Sequence, residues 1–162
     1  MPVFTYRVQP LLDQRNKLKE EAAQNLFSKK QQLREATEKL IELERQVKVL
    51  AQRKNQLQLD LLVGGPTGLS GIEVRRRYEY LGAVGLDLET AKDAVFSQKM
   101  FIEDCNREVA AAQIHLTRCS RDVEVLQKHR DKLEQRFLRE LEKKEALELD
   151  EIGNMMHRKA PQ

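Results

Sequence analysis

Large rings, glycine and proline are scarce in this sequence, and their scarcity argues against several kinds of fold. The chain of 162 residues has no tryptophan, and aromatic residues make up only 5% of it. Because large rings usually fill thick globular cores, a compact core of the ordinary kind is not expected. Seven glycines and four prolines leave little material for turns, which favours a few long elements.

Long apolar runs are also missing. A transmembrane helix needs about 18 or more consecutive apolar residues, and no such run occurs here. Residues 1–14 lack the apolar core of a signal peptide. These two observations predict a cytoplasmic protein.

Charged residues are plentiful, but the two signs are not separated. The chain has 29 basic and 26 acidic residues, with a net charge of +3, and its one basic run is Arg75-Arg76-Arg77. Domains that bind nucleic acid usually collect basic residues on one face or tail, so no nucleic-acid partner is predicted. A charged fraction of 34% is typical of long, solvent-exposed helices.

Apolar residues recur at alternating spacings of three and four, which is the pattern of a coiled-coil seam. One run extends from Leu33 to Leu61 and a longer one from Leu81 to Phe137. Among these seam positions only Lys54, Gln98 and Arg130 are polar. The seam residues that we expect to pack between two helices are Leu33, Leu40, Leu43, Val47, Leu50, Leu57, Leu88, Val95, Ile102, Val109, Leu116, Val123 and Leu126.

A break rich in glycine separates the two runs. Four glycines and a proline between Val63 and Gly71 cannot continue a helix, and Ser70 followed by Glu73 is a capping box that predicts a new helix. A short loop between two long helices favours antiparallel packing. The predicted fold is therefore all-α, a long two-helix antiparallel coiled-coil hairpin. Its segments are an extended N-terminal arm (1–9), a first helix (10–62), a hairpin turn (63–71), a second helix (72–152) and a flexible tail (153–162).

No group of residues predicts catalysis, a cofactor or a metal site. The three histidines are scattered and lack the HExxH spacing of zinc proteases. The glycines at 64–68 lack the Lys-Ser/Thr pair of a phosphate-binding loop. A two-helix hairpin also offers no deep pocket for a small-molecule substrate. We therefore predict that the protein is not an enzyme.

The two cysteines are predicted to be unpaired seam residues. Cys105 and Cys119 are fourteen residues apart, so both fall on one face of the second helix. On a straight helix this separation is about 21 Å, which is too long for a disulfide.

Both ends of the predicted hairpin carry candidate partner-binding residues. Next to the turn, tyrosine and arginine are concentrated, and these residue types are enriched in interaction hot spots. The candidates at this end are Arg76, Tyr78, Tyr80 and Leu81. At the opposite end the second helix extends beyond the first, and the candidates are Phe4, Tyr6, Leu11, Phe137 and Leu141. At each end the alternative is that these side chains only complete the packing of the hairpin.

The two ends of the chain resemble the FliJ family. Residues 4–15 read FTYRVQPLLDQR and are similar to the opening of FliJ proteins, and EEAAQ at 20–24 continues the likeness. The charged segment at 142–152, which contains EKKE and ELDEI, resembles the ending of that family. Injectisome stalk proteins of the SctO/YscO type are close relatives of FliJ.

The resemblance implies a function that composition alone does not indicate. FliJ proteins are cytoplasmic stalk components of the flagellar type III export apparatus, peripheral to the inner membrane at the flagellar base. The implied partners are the hexameric export ATPase, whose pore receives the hairpin end that carries both chain termini, the export gate membrane protein, and export chaperones. The alternative is a structural or adaptor coiled coil that self-associates as a scaffold.

Overall fold

The computed structural model describes the backbone of residues 3–63 and 70–158 and the side chains up to residue 155. Helix α1 spans Gln9–Val63 and helix α2 spans Gly71–Arg158. No strand occurs in these two ranges, so the all-α prediction is confirmed. Residues 64–69, which make up most of the predicted turn, and residues 159–162 of the predicted tail lie outside the described residues.

Local sequence explains where the two helices begin. Pro10 lies in the first turn of α1, where the N–H that proline lacks would have no helical partner. At the start of α2, the Ser70 backbone N–H donates to Oε2 of Glu73 over 2.9 Å, and the Glu73 N–H donates to the Ser70 hydroxyl over 3.4 Å. The predicted capping box is confirmed.

Helix α2 continues further than the sequence pattern indicates. The predicted helix stops at residue 152, with Gly153 opening a flexible tail, whereas α2 is helical to Arg158. A glycine weakens a helix by about 1 kcal/mol relative to alanine, but this penalty alone does not end it. The next proline, which would stop a helix, comes only at position 161.

Burial follows the predicted seam. Of the thirteen predicted seam residues, Leu88 and Val123 are buried and the other eleven are half-buried, while most of their neighbours are exposed. Half-burial is the expected state for most of them, because two helices cover each seam side chain from one direction only. The small residues Ala36 and Ala112 are buried, since the opposing helix comes close enough to cover them.

The described chain forms two compact units, one built from Met1–Gln24 and Ile114–Gln162 and the other from Asn25–Gln113. In the second unit, Lys29 contacts Glu108 and Arg53 contacts Tyr80. Residue numbers therefore rise along α1 while they fall along the facing stretch of α2, so the two helices are antiparallel.

In the unit that contains both chain termini, the two helices are also antiparallel. Phe4 packs against Phe137, and further along α1 the side chain of Arg15 lies 3.3 Å from Asp122. Its core contains Leu12 and Val123, each 2% exposed. The predicted antiparallel hairpin is confirmed.

Candidate protein interaction surfaces

The N-terminal arm, residues 3–8, folds against the part of α2 that extends beyond the start of α1. The ring of Phe4 lies 5.7 Å from the ring of Phe137, centroid to centroid, at an interplanar angle of 49°. Phe4 and Val8 pack onto the core of this unit, as does Leu133 of α2. The arm thus covers the part of the α2 seam that lies beyond the first residue of α1.

Tyr6 anchors this arm. Its side chain is 7% exposed, and its hydroxyl lies 3.0 Å from Nδ1 of His129 and 3.4 Å from the carbonyl oxygen of Leu126. A buried tyrosine hydroxyl normally needs such a partner. Backbone bonds from Gln9 N–H to the Tyr6 carbonyl (3.0 Å) and from Leu11 N–H to the Val8 carbonyl (3.1 Å) then lead the chain into α1.

These contacts give an internal role to three of the five candidates at this end. Tyr6 is buried, Phe4 and Phe137 contact each other and are half-buried, and Leu141 is also half-buried. Leu11 alone among the five is classed as exposed, at 38%. The packing alternative therefore accounts for the aromatic residues of the arm, and partner binding by these five residues stays a prediction.

The last turns of α2 carry an exposed apolar face, of which only Leu141 was among the predicted partner-binding residues. Leu138, Leu149 and Ile152 are 50%, 69% and 49% exposed. At about 100° per residue they lie within one third of the helix circumference, whereas Leu147, 64% exposed, lies on the opposite side. We call Leu138, Leu141, Leu149 and Ile152 the distal face.

Leu138, Leu149 and Ile152 lie within the predicted second helix but were not predicted to bind a partner, because they do not continue the heptad pattern of Leu81–Phe137. The distal face instead follows a helical period, with spacings of three, eight and three residues. The charged residues around it are mainly acidic. From Arg139 to Glu151 there are six acidic and three basic residues.

At the turn end, two neighbouring tyrosines differ in their surroundings. The guanidinium carbon of Arg53 lies 5.5 Å from the centroid of the Tyr80 ring, within the range of a cation–π contact. Tyr80 is 43% exposed, whereas Tyr78 is 61% exposed. Arg76 is exposed, and Leu81 is half-buried in the seam. Tyr80 and Leu81 thus contribute to packing at this end, and Arg76 and Tyr78 face solvent.

The electrostatic features of the surface are those of solvated helices. A hydrogen bond from Lys92 lowers the pKa of the Glu89 carboxyl, and Lys128 lowers the pKa of Glu124 in the same way. Both pairs are local and exposed.

Among the residues whose positions are described, no three His, Cys, Asp or Glu side chains come together to hold a metal ion. Neither helix, as far as it is described, has a segment long and apolar enough to cross a membrane.

Comparison with known proteins identifies the family. The YscO-like protein family matches residues 3–162. The chain belongs to the YscO-like family. The resemblance to stalk proteins of the FliJ and YscO kind, predicted from the two chain ends, is confirmed. The YscO-like match includes the arm, both helices and the distal face.

A solved structure agrees with the YscO-like fold. The YscO homolog CT670 from Chlamydia trachomatis matches with a TM-score of 0.75 and 22% identity, over 96% of this chain and 96% of that chain. No match was found among curated proteins. At this identity the structural match establishes the fold alone, and the family match carries the functional class.

The YscO-like chain is therefore a type III secretion stalk-like protein. Proteins of this kind are structural rather than catalytic and associate with the secretion machinery. This class agrees with the prediction of a protein that acts by binding other proteins.

Proposed function

We propose that this protein is the stalk of a type III export apparatus and that its distal face enters the pore of the hexameric export ATPase. The observation that carries this proposal is the exposed apolar surface of the distal face. Three of its leucine and isoleucine side chains are about half or more exposed in a segment that is otherwise charged. Clustered apolar groups on a charged surface are typical of a protein interface.

The N-terminal arm supports this use of α2. Phe4 and Tyr6 cover the seam up to Phe137, so the turns of α2 beyond this point are the ones left for a partner. In the proposed complex the arm keeps the base of the projecting helix packed, and the distal face provides the contact with the ring. Leu11, which is exposed on α1, belongs to the same proposed contact surface.

The mechanism follows from a mismatch of symmetry. A single helix end inside a six-fold ring cannot contact six subunits equally. It must stabilise some subunit conformations more than others, which is how a ligand shifts a conformational equilibrium. Binding of the distal face would in this way bias the nucleotide cycle of the ring.

A charge placed on the distal face tests the proposal. Leu149→Asp with Ile152→Asp should leave helicity and Tm nearly unchanged, because both side chains are exposed. The pair should weaken binding to the cognate ATPase about tenfold or more and abolish stimulation of ATP hydrolysis. Leu147→Asp with Asn154→Asp is the matched control, since it adds the same two charges to the opposite face of the same turns.

Equal loss of stimulation in the control and in the distal-face variant would mean that added charge, and not the distal face, is responsible. Unchanged stimulation in the distal-face variant would reject insertion of this face. Light scattering of the isolated chain separates the proposal from the scaffold alternative, because a scaffold requires self-association without the ATPase.

The opposite end of the hairpin is proposed to bind the export gate membrane protein and export chaperones. Arg76 and Tyr78 support this role, because both are exposed and are of the residue types found in hot spots. Binding to the gate would hold the protein at the cytoplasmic side of the inner membrane.

Tyr78→Ala should weaken binding to a gate fragment without changing Tm. Tyr80→Ala should lower Tm, because the Arg53 contact is lost. Full gate binding by Tyr78→Ala would remove Tyr78 from this site.

The proposed stalk is compatible with two kinds of type III export apparatus. The YscO-like match supports an injectisome, whereas the FliJ-like phrase at residues 4–15 supports the flagellar apparatus. Binding measured side by side to the flagellar and the injectisome ATPase of the source organism distinguishes them. A flagellar role predicts the tighter complex with the flagellar ring.

A further inference from the structure

The seam of the unit formed by Asn25–Gln113 contains a buried polar residue at a position where an apolar side chain would fit. Gln98 is 8% exposed and occupies a seam position of α2. Its side-chain N–H donates to the backbone carbonyl of Ala36 in α1 over 2.9 Å. This hydrogen bond crosses between the two helices and satisfies a buried amide that would otherwise be destabilising.

Ala36 makes this bond possible. Its side chain is small and 4% exposed, so the amide can approach the α1 backbone directly. The seam positions one heptad away in α1 are Lys29 and Leu43, whose larger side chains would cover the backbone. Gln98 therefore has an accessible acceptor in one alignment of the helices and loses it when α1 slides by seven residues in either direction.

A second polar seam residue has the same dependence on alignment. Lys29 occupies a seam position of α1, and its Nζ lies 2.8 Å from the carboxylate of Glu108. After a slip of seven residues Lys29 would face Phe101 or His115 in place of Glu108. Both polar seam residues thus lose their partners in a slipped hairpin.

The apolar seam residues alone do not distinguish the native register from a slipped one. It repeats every seven residues, so a slip of one heptad again places apolar residues opposite apolar residues. We propose that Gln98 with Ala36, supported by Lys29 with Glu108, selects the helix register of this hairpin against slips of one heptad. A single buried polar residue is an established way to specify register in coiled coils. This role does not depend on which partners the hairpin binds.

Distances between spin labels measure the register directly. In a chain with Cys105→Ala and Cys119→Ala, nitroxide labels are attached at Gln52→Cys in α1 and Asn106→Cys in α2, two exposed positions outside the seam. A slip of seven residues moves one helix along the other by about 10 Å, so the distance between the labels separates the native register from slips in the two directions. The quantity measured is the population of each register in the distance distribution from double electron–electron resonance.

The native register should dominate when Gln98 is present. Gln98→Leu should lower the ratio of native to slipped register by about tenfold or more while helicity and Tm stay the same or rise. Ala36→Leu, which covers the carbonyl, should lower the ratio as well. Lys29→Glu should lower it less, and the exchange of both charges, Lys29→Glu with Glu108→Lys, should restore it.

Val95→Leu is the matched control, a substitution at a neighbouring seam position with no polar partner, and it should leave the ratio unchanged. An unchanged ratio in Gln98→Leu would overturn the proposal. Loss of helicity in Gln98→Leu would overturn it too, since it would show that the amide is needed for folding rather than for choosing a register.

Discussion

The hydroxyl of Tyr6, near the start of the chain, lies 3.0 Å from Nδ1 of His129 in the second half of α2. These residues are 123 positions apart in sequence, and their contact fixes the N-terminal arm to the helix. The arm is therefore an integral part of the terminal unit rather than a free extension.

Removal of the Tyr6 side chain should destabilise the protein strongly. Tyr6→Ala leaves a cavity next to Leu12 and Val123, and truncation of a buried aromatic side chain costs about 3 kcal/mol. Tyr6→Phe keeps the ring and loses the hydrogen bonds, at about 1 kcal/mol. Urea unfolding followed by circular dichroism gives both values. Equal stability of the wild type and Tyr6→Ala would show that the arm is not docked in solution.

Phe4 and Phe137 should be coupled energetically. Their tilted ring contact is worth about 1 kcal/mol beyond burial, so a double-mutant cycle with alanine should give a coupling of this size. The same variants test the partner-binding prediction for these residues. If Tm falls in parallel with ATPase stimulation, their role is packing. Lost stimulation with an unchanged Tm would instead support direct contact with the ring.

The seam register of the second unit can be tested at two adjacent residues. Leu50 is half-buried in the seam, whereas its neighbour Val49 is 55% exposed. Leu50→Asp places a charge against apolar side chains and should cost about 3 kcal/mol. Val49→Asp should change the free energy of unfolding by less than about 0.5 kcal/mol. Similar melting temperatures for the two variants would contradict the register.

The two free cysteines should react with a thiol reagent at different rates. Both were predicted to be seam residues, but Cys105 is buried at 5% exposure, while Cys119 is half-buried, with its sulfur 3.8 Å from Nε2 of His115. We expect Cys105 in the folded protein to react about 100-fold more slowly than in denaturant, and Cys119 to fall between these rates. Single-cysteine variants separate the two. Faster labelling of Cys105 than of Cys119 would contradict this burial.

Gly153 provides a test of the length of α2. A Cβ atom at this position meets no atom within 4 Å, and the residue lies inside the helix. Gly153→Ala should therefore raise helicity and stabilise the last turns by about 0.5–1 kcal/mol. If the helix instead stopped at this glycine in a left-handed conformation, alanine would be destabilising. Amide hydrogen exchange of residues 150–158 reports the difference.

Sequence alone determined the helical hairpin, its seam and its relation to stalk proteins. These features depend on local and periodic information. The heptads of Leu33–Leu61 and Leu81–Phe137 specify which face is buried, and the Ser70–Glu73 box specifies where α2 begins. The polar seam residue Gln98 was visible as an exception, but its partner was not.

The tertiary structure decided what the residues outside the heptads do. Phe4 and Tyr6 were predicted to bind a partner, and the contacts with Phe137 and His129 give them a role in packing, while their partner binding stays a prediction. The same contacts left the distal face, beyond Phe137, as the exposed apolar surface of this end. The arm is not helical, so its sequence has no periodicity that shows which side chains are buried. Its conformation depends on a docking site more than 100 residues away in the sequence.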